Sequence, residues 1–369
     1  MNAQKQKLLL IVCALVTLGA LLATAPIALG QGCIAVRNSP CTPIFPGNFT
    51  NFMASESHWV GSVSYRWLHS DRHFIEDSEQ TQRQAQGTEV VNDIHSFDVS
   101  ATYGISDRWS ATMTFPFTYA DRSSLYEHDL VHRHTMHAGG LGDIRLVTDY
   151  WLLDPHEHMD GNLALGLGVE VPTGDDKASD VAHRAGGDVI RPVDPSIQPG
   201  DGGWGVILEM QGFQKIANNL FGYVGGSYLV TPQEQNHTEL TVADVPAFQA
   251  FITDDIRHDS ISDQYSGRFG LSYFLFPEKG ISVSLGPRID GVPAHDLIGG
   301  DMGFRRPGFS ISVEPGISVS YGRHNFSLTT PVAVYRFRER SAPEQKLSRP
   351  TGDSAFADFL VFATYSLRF

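Results

Sequence analysis

The sequence predicts an all-β protein: a transmembrane antiparallel up-and-down β-barrel of about 12 strands, with short periplasmic turns and long outer loops. Three observations lead to this fold class. Segments in which apolar and polar residues alternate recur from residue 59 onward. The connections between these segments alternate strictly between long and short. The last segment, VFATYSLRF, keeps an apolar residue at every second position up to Phe369.

The clearest alternating segment is WSATMTFPFTYA, residues 109–120, where every second residue from Trp109 to Tyr119 is apolar. A period of two indicates a β-strand with one apolar face. Aromatic residues at both ends of that face are typical of a strand that crosses two membrane interfaces. The same pattern predicts strands at 59–70, 92–103, 109–120, 139–152, 162–172, 203–214, 219–230, 263–276, 281–291, 308–321, 326–337 and 357–369. Glycines blur the alternation in 203–214 and 219–230, so these two are the weakest assignments.

The connections test the strand assignment independently. The short ones contain GISDR, DPHEHMDG, KIANN, PEKG and GRHN, and the long ones are 71–91, 121–138, 173–202, 231–262, 292–307 and 338–356. This order is typical of a barrel with turns on one side of the membrane and loops on the other, and an even strand count places both termini on the periplasmic side. A soluble sandwich would also alternate, but it would not carry outward aromatic residues at the ends of many strands.

The N-terminal 30 residues resemble a secretory signal peptide, with two lysines before an apolar run and small residues around Pro26. A spanning helix is the alternative, but Pro26 and the polar chain that follows favour cleavage. Residues 58–369 form the predicted barrel, and residues 31–57 are either a plug in the lumen or a periplasmic tail. Cys33 and Cys41, a short loop apart in an exported chain, predict a disulfide.

The expected location is the outer membrane of a Gram-negative-type bacterium, with outer-membrane lipid as a partner. The C-terminal strand that ends at Phe369 resembles the signal recognised by the outer-membrane assembly machinery. A formal net charge of -14 argues against nucleic acid as a partner, because phosphate binding needs Lys and Arg.

Charged residues fall on the inner face of the predicted strands. By parity, the candidates for lining the lumen are Arg66, Asp98, Asp143, Arg145, Asp149, Glu170, Glu209, Arg268, Arg288, Asp290 and Glu314, with Gln211 and Arg368 on the same face. They either stabilise the barrel as ion pairs or shape a path for a substrate. Small barrels are packed shut and large ones leave a channel, so a barrel of about 12 strands allows an open or a closed lumen.

Histidines are the candidates for metal binding, because imidazole is a common metal ligand. Four of them lie in one predicted loop: His128, His132, His134 and His137. Their spacing matches no structural zinc or metalloprotease motif, so we expect neither a bound metal nor a cofactor. We also expect no catalysis, because His95 faces outward while the adjacent Ser96 faces inward, so they cannot form a catalytic pair.

Four stretches resemble a family of outer-membrane transporters named for the MetA pathway of phenol degradation. They are YGISDRWSATMTFPF, GGLGDIRLVTDYWLL, LGLGVEVPTGDD and FRRPGFSISVEPGIS, in matching order and spacing. The Gly142-Asp143 element and the Pro172-Thr173-Gly174 strand end are the most recognisable parts. The resemblance implies a barrel that passes a small, possibly aromatic or hydrophobic, compound. The alternative is a structural or adhesive barrel without transport, and an outer-membrane hydrolase is a more distant one.

Overall fold

A computed structural model describes residues 59–249 and 251–369 of the chain. The predicted signal peptide, the segment 31–57 and the proposed Cys33–Cys41 disulfide lie outside the described residues and stay predictions.

Twelve antiparallel strands close into one barrel, as predicted, and β1 pairs with β12 to complete the ring. The strands are β1 Trp59–Ile75, β2 Val91–Gly104, β3 Trp109–Ser124, β4 His134–Leu141 with Ile144–Trp151, β5 Gly161–Val171, β6 Gly205–Ala217, β7 Leu220–Val230, β8 Gln264–Phe276, β9 Ile281–Val292, β10 Gly308–Tyr321, β11 His324–Thr329 with Val332–Arg338, and β12 Ser354–Arg368. The two weakest assignments, β6 and β7, are strands that pair with each other along their length.

Long outer loops alternate with short periplasmic turns around the barrel. We number the outer loops 1 to 6, and they cover residues 76–90, 125–133, 172–204, 231–263, 293–307 and 339–353. The outer loops carry two small two-stranded sheets outside the barrel, the hairpin Ser179–Arg184 with Gly187–Pro192 and the pair Gln235–Glu239 with His258–Ser260. They also carry the strand Ser78–Glu79, the helices Gln82–Ala85, Pro246–Gln249 and Ala342–Lys346, and the 3-10 turn Asp254–Ile256, while Pro277–Lys279 forms a 3-10 turn between β8 and β9. In the described part of the chain, no helix is both long and apolar enough to cross a membrane.

Two strands are interrupted. In β11 the break is at residues 330–331, where Pro331 has no N–H to donate to the ladder. In β4 it is at residues 142–143, where Gly142 donates its N–H to the carbonyl of Pro116 at 2.7 Å and the chain bends. The break in β4 determines how outer loop 3 attaches to the barrel.

The outer wall carries an apolar band. Trp109 and Tyr119 lie at the two ends of the apolar face of β3 and are 45% and 54% exposed. Ten residues at about 3.3 Å each, tilted by about 40°, span about 25 Å, which is the height of the apolar band on a transmembrane barrel. Trp59 stacks near Tyr103 and Trp109 near Tyr150, with ring centroids 4.8 and 4.7 Å apart. These aromatic pairs form the girdle at the periplasmic end.

The interior is divided into three layers. At the periplasmic end, Trp151, Phe213, Phe221 and Tyr223 pack around Ala164. The middle layer holds most of the charged residues predicted for the inner face. At the outer end, apolar residues of β1 to β4 pack against two residues of outer loop 3. The candidate site lies in this outer layer.

Candidate functional site at the outer mouth

Both ends of outer loop 3 attach to the break in β4 through one carboxylate. Asp143 Oδ1 accepts a hydrogen bond from the Gly174 N–H at 2.9 Å, and Oδ2 accepts one from the Asp201 N–H at 3.0 Å. The break leaves the carbonyl of Gly142 and the N–H of Ile144 outside the ladder. The Thr173 hydroxyl satisfies both, at 2.8 and 2.9 Å. The Gly142-Asp143 and Pro172-Thr173-Gly174 elements of the sequence therefore form one anchor.

The start and end of outer loop 3 cross in direct backbone contact at this anchor. A Cβ atom on Gly174 would lie 2.6 Å from Gly200 Cα, and one on Gly200 would lie 2.7 Å from Gly174 Cα. No side chain fits at that distance, so the crossing requires glycine at both positions.

Two buried apolar residues of outer loop 3, Val193 and Ile197, pack on the inner side of β1 to β4 at the mouth of the barrel, and we call them the cap. Each is 1% exposed. They pack against the inward residues at the outer ends of β1 to β4, namely Leu68, Ile94, Ala120, Met136 and Ala138. The Gln198 amide holds the loop in shape by donating to the carbonyls of Ala178 and Val193 at 3.1 and 3.0 Å. The part of β1 to β4 that the cap covers is therefore apolar.

A buried ion-pair cluster connects the cap to the barrel and to outer loop 5, and we call Arg122, Glu127, Asp194 and Arg306 the mouth cluster. Arg306 donates to both carboxylate oxygens of Asp194, at 2.9 and 2.6 Å. Arg122 of β3 lies 3.2 Å from Asp194 and 2.9 Å from Glu127. Burial alone would raise the pKa of Asp194, but the Arg122 and Arg306 guanidiniums outweigh it and hold that pKa well below its usual range. Asp194 is therefore ionised in this site.

The hairpin of outer loop 3 is joined to outer loop 4. Arg184 donates to the carbonyl of Thr241 at 2.6 Å and to Asp244 at 2.5 Å. Arg191 donates to Glu239 and to the carbonyl of Leu240, each at 2.9 Å. Outer loops 3, 4 and 5 therefore cover the mouth as one connected assembly.

The predicted inner-face charges lie inside the barrel and pair along its wall. Arg145 on β4 lies 2.7 Å from Asp98 on β2. Arg288 on β9 lies 2.7 Å from Asp290 on the same strand and 3.5 Å from Glu314 on β10, and Arg268 on β8 lies 3.5 Å from Glu314 as well. Arg66 donates to Ser96 at 3.1 Å. These contacts join nearby strands, and a role for them in a substrate path stays a prediction.

Four acidic members of the predicted set lie around β4, β5 and β6. A Cβ on Gly166 would come within 2.7 Å of Asp149 Oδ1 and 2.9 Å of Glu209 Cβ, so the glycine leaves room for two carboxyl side chains. Three carboxylate oxygens, one each from Asp143, Glu170 and Asp201, lie within 4.8 Å of one another. Because both oxygens of Asp143 already accept backbone hydrogen bonds, we interpret this trio as part of the anchor.

Of the four histidines predicted to share one loop, His128 and His132 lie in outer loop 2, whereas His134 and His137 lie on β4, because this strand begins earlier than predicted. His137 pairs with Asp121 at 2.6 Å on the outer face of the barrel. His128 and His134 lie together, with ring centroids 5.0 Å apart, and His183 from outer loop 3 joins them. Burial lowers the pKa of His128 to about 4, so this ring is neutral. The sequence pattern did not identify His183, because only the folding of the hairpin brings it to outer loop 2.

The mouth cluster was also missed at the level of sequence, although one signal was present. Arg306 lies in FRRPGF, one of the stretches that resemble the transporter family, and in residues 191–203 of outer loop 3 the only large apolar side chains are Val193 and Ile197, in a polar surrounding. Isolated apolar residues in a long polar loop suggest packing against the barrel. Their partner in the fold could not be identified from the sequence.

Comparison with solved structures supports the fold. An outer membrane channel from Pseudomonas putida F1 is similar, with a TM-score of 0.52 and 12% identity over 85% of this chain and 96% of that chain. A FadL homologue of Pseudomonas aeruginosa has a TM-score of 0.41, with 7% identity over 92% of this chain and 96% of that chain. The P. putida toluene transporter TodX has a TM-score of 0.39, with 8% identity over 93% and 99% of the two chains. The first likeness shows that the two proteins share a fold, and the lower scores of the others add no support.

No protein-family model matches the sequence, and no curated protein matches it significantly.

Proposed function

We propose that this protein is an outer-membrane channel for the passive passage of a small apolar compound, with outer loop 3 as its gate. The observation that carries the proposal is the apolar wall beneath Val193 and Ile197 at the mouth. When the cap moves away, a solute meets the apolar layer of β1 to β4 below the Arg122 and Asn92 side chains at the rim, and the inner-face ion pairs lie deeper. Such a surface favours an apolar solute over an ion, because a charged group loses hydration there without a partner.

The aromatic character of the substrate is inferred from the sequence. The stretches GGLGDIRLVTDYWLL and LGLGVEVPTGDD resemble the MetA-pathway transporter family, whose name associates it with aromatic compounds. Their most recognisable elements form the anchor of outer loop 3. We infer membership of that family, and with it a small aromatic or similarly apolar substrate.

Release of the cap would open two routes. The first runs along the lumen. The second runs through the wall, because residues 134–141 of β4 pair with β3 but with no described residue of β5. The Pro199 ring lies beside Gly140 here. Outer loop 3 therefore lies where a neighbouring strand would otherwise pair with β4. Movement of the same loop would thus open both the mouth and the wall.

The proposal extends to location and assembly. The apolar outer band supports insertion in outer-membrane lipid, and β12 ends with the Phe369 N–H donating to the Trp59 carbonyl at 3.1 Å. We propose that assembly in the cell depends on this C-terminal strand and its aromatic end. Replacement Phe369→Ala should lower the amount of assembled barrel in the outer membrane, and an unchanged amount would contradict the proposal.

Flux through proteoliposomes tests the proposed transport. The protein as it exists and the variant Asp194→Ala/Arg306→Ala are reconstituted, and entry of a labelled, uncharged monoaromatic alcohol is compared with that of a sugar of similar size. We expect faster entry of the aromatic probe in the variant, and a smaller change for the sugar. Equal permeability to both probes in both proteins would favour the structural or adhesive alternative.

A further inference from the structure

Four histidine rings meet between outer loop 2 and the hairpin of outer loop 3. The His134 and His183 ring centroids are 4.3 Å apart, and His128 lies 5.0 and 5.6 Å from them. The His132 ring lies 6.5 Å from that of His134. His128 is buried and forms the floor, whereas His132 is 72% exposed. The rings come from two outer loops and from the first residue of β4.

Carboxylates orient two of these rings. His183 Nδ1 lies 2.8 Å from Asp188, and His132 Nδ1 lies 2.6 Å from Asp129. A carboxylate that accepts the Nδ1 proton leaves Nε2 as the free lone pair, which is the arrangement that positions histidine ligands in metal sites. His128 differs, because its Nδ1 accepts the backbone N–H of His183 at 3.1 Å. Its lone pair is therefore already used.

We propose that His132, His134 and His183 bind a divalent transition-metal ion of the zinc class through their Nε2 atoms. Three imidazoles around one tetrahedral ion, with metal–nitrogen bonds of about 2.0–2.1 Å, place their ring centroids about 5.2 Å apart. The His134 and His183 centroids, at 4.3 Å, are closer than that, and the His132 and His134 centroids, at 6.5 Å, are farther apart. The exposed His132 side chain reaches the ion by turning about its own bonds. Imidazole ligands favour Zn²⁺, Ni²⁺ and Cu²⁺ over Mg²⁺ and Ca²⁺, which prefer oxygen.

The ion would connect outer loop 2 to the hairpin of outer loop 3, near the cap. The site is independent of the proposed transport, since it concerns the outer loops whether or not a solute passes.

Isothermal titration of the untagged full chain in detergent with Zn²⁺ tests the site, after treatment with a chelator. We expect one ion per chain, at least about 100-fold weaker binding in His134→Ala/His183→Ala, and about 10–100-fold weaker binding in Asp188→Asn through loss of the orienting carboxylate. Mg²⁺ should not compete. His137→Ala and His158→Ala are the controls, because these rings lie outside the cluster and should leave the affinity unchanged.

Tetrahedral Co²⁺ absorption in the same variants shows whether the bound ion has nitrogen ligands in this geometry. Barrel folding of each variant is checked by its thermal unfolding without metal. Equal Zn²⁺ affinity in the protein and in His134→Ala/His183→Ala would overturn the proposal. An equal loss of affinity in His137→Ala would overturn it as well.

Discussion

At the scale of single residues, the proposed closure of the mouth depends on Asp194. It is a buried carboxylate that lies between two guanidiniums from different parts of the chain, 2.6 Å from Arg306 and 3.2 Å from Arg122. Removing one partner from a buried pair leaves the other charges without compensation. The lost free energy destabilises the closed position of outer loop 3, because Asp194 is the member of the mouth cluster that belongs to this loop.

Replacement Asp194→Ala should destabilise the closed position of outer loop 3 by about 3–5 kcal/mol. Hydrogen exchange of the amides in residues 193–200 measures this loss of protection. Asp254→Asn is a matched control, because the Asp254 side chain is fully exposed in outer loop 4. Unchanged protection in Asp194→Ala would show that the cap is held by its apolar contacts alone.

The depressed pKa of Asp194 predicts the pH dependence of closure. A carboxylate whose pKa is lower in the folded state contributes stability above its unfolded pKa of about 3.9, and this stability is lost as the pH falls further. Closure should therefore be constant from about pH 5 to 8 and weaken below about pH 4. Bilayer conductance as a function of pH measures it, and an opening transition near neutral pH would contradict the assignment.

At the scale of elements, the anchor of outer loop 3 depends on a backbone crossing that only glycines permit. Gly174→Ala should force the Gly174 and Gly200 segments apart and cost about 1–3 kcal/mol, because a Cβ would lie 2.6 Å from Gly200 Cα. Gly186→Ala in the hairpin of the same loop is the matched control, since its Cβ would meet nothing within 4 Å. Limited proteolysis of outer loop 3 distinguishes them, and equal cleavage rates would refute the role of the crossing.

The elements also show what the sequence could and could not predict. Alternation predicted every barrel strand, because lipid outside and a lumen inside impose a period of two on each of them. The break in β4 was visible only as a Gly-Asp element, since its hydrogen-bond partners Gly174 and Asp201 lie in another part of the chain. Asp194 and Arg306 are 112 positions apart in sequence, and His183 is 55 positions from His128. Contacts between loops have no periodic signal, so the candidate site could not be predicted.

At the scale of the whole molecule, two parts of the chain are candidates for closing one lumen. The cap closes the outer mouth, and the segment 31–57, which lies outside the described residues, is the predicted plug. If the cap alone seals the path, deleting residues 31–57 should leave the pore shut, whereas Asp194→Ala should open it in the full chain. Opening by the deletion alone would mean that the cap does not seal the mouth.

The barrel itself should not depend on the outer loops. Its ring is closed by the β1–β12 ladder, which runs from Val60 opposite Arg368 to Phe74 opposite Ser354. Deleting the hairpin residues 179–192 should therefore leave the thermal unfolding of the barrel nearly unchanged, while it weakens the attachment of outer loop 3 to outer loop 4. Circular dichroism of the deletion variant measures this, and loss of the barrel signal would contradict it.

Single-channel conductance in planar bilayers tests the central claim most directly, namely that outer loop 3 closes the mouth through Asp194. The protein as it exists is compared with Asp194→Ala/Arg306→Ala and with the Asp254→Asn control. We predict rare, small openings in the protein and the control, and frequent, larger openings in the double variant. The same conductance in all three would contradict the claim and place the barrier to passage elsewhere in the barrel.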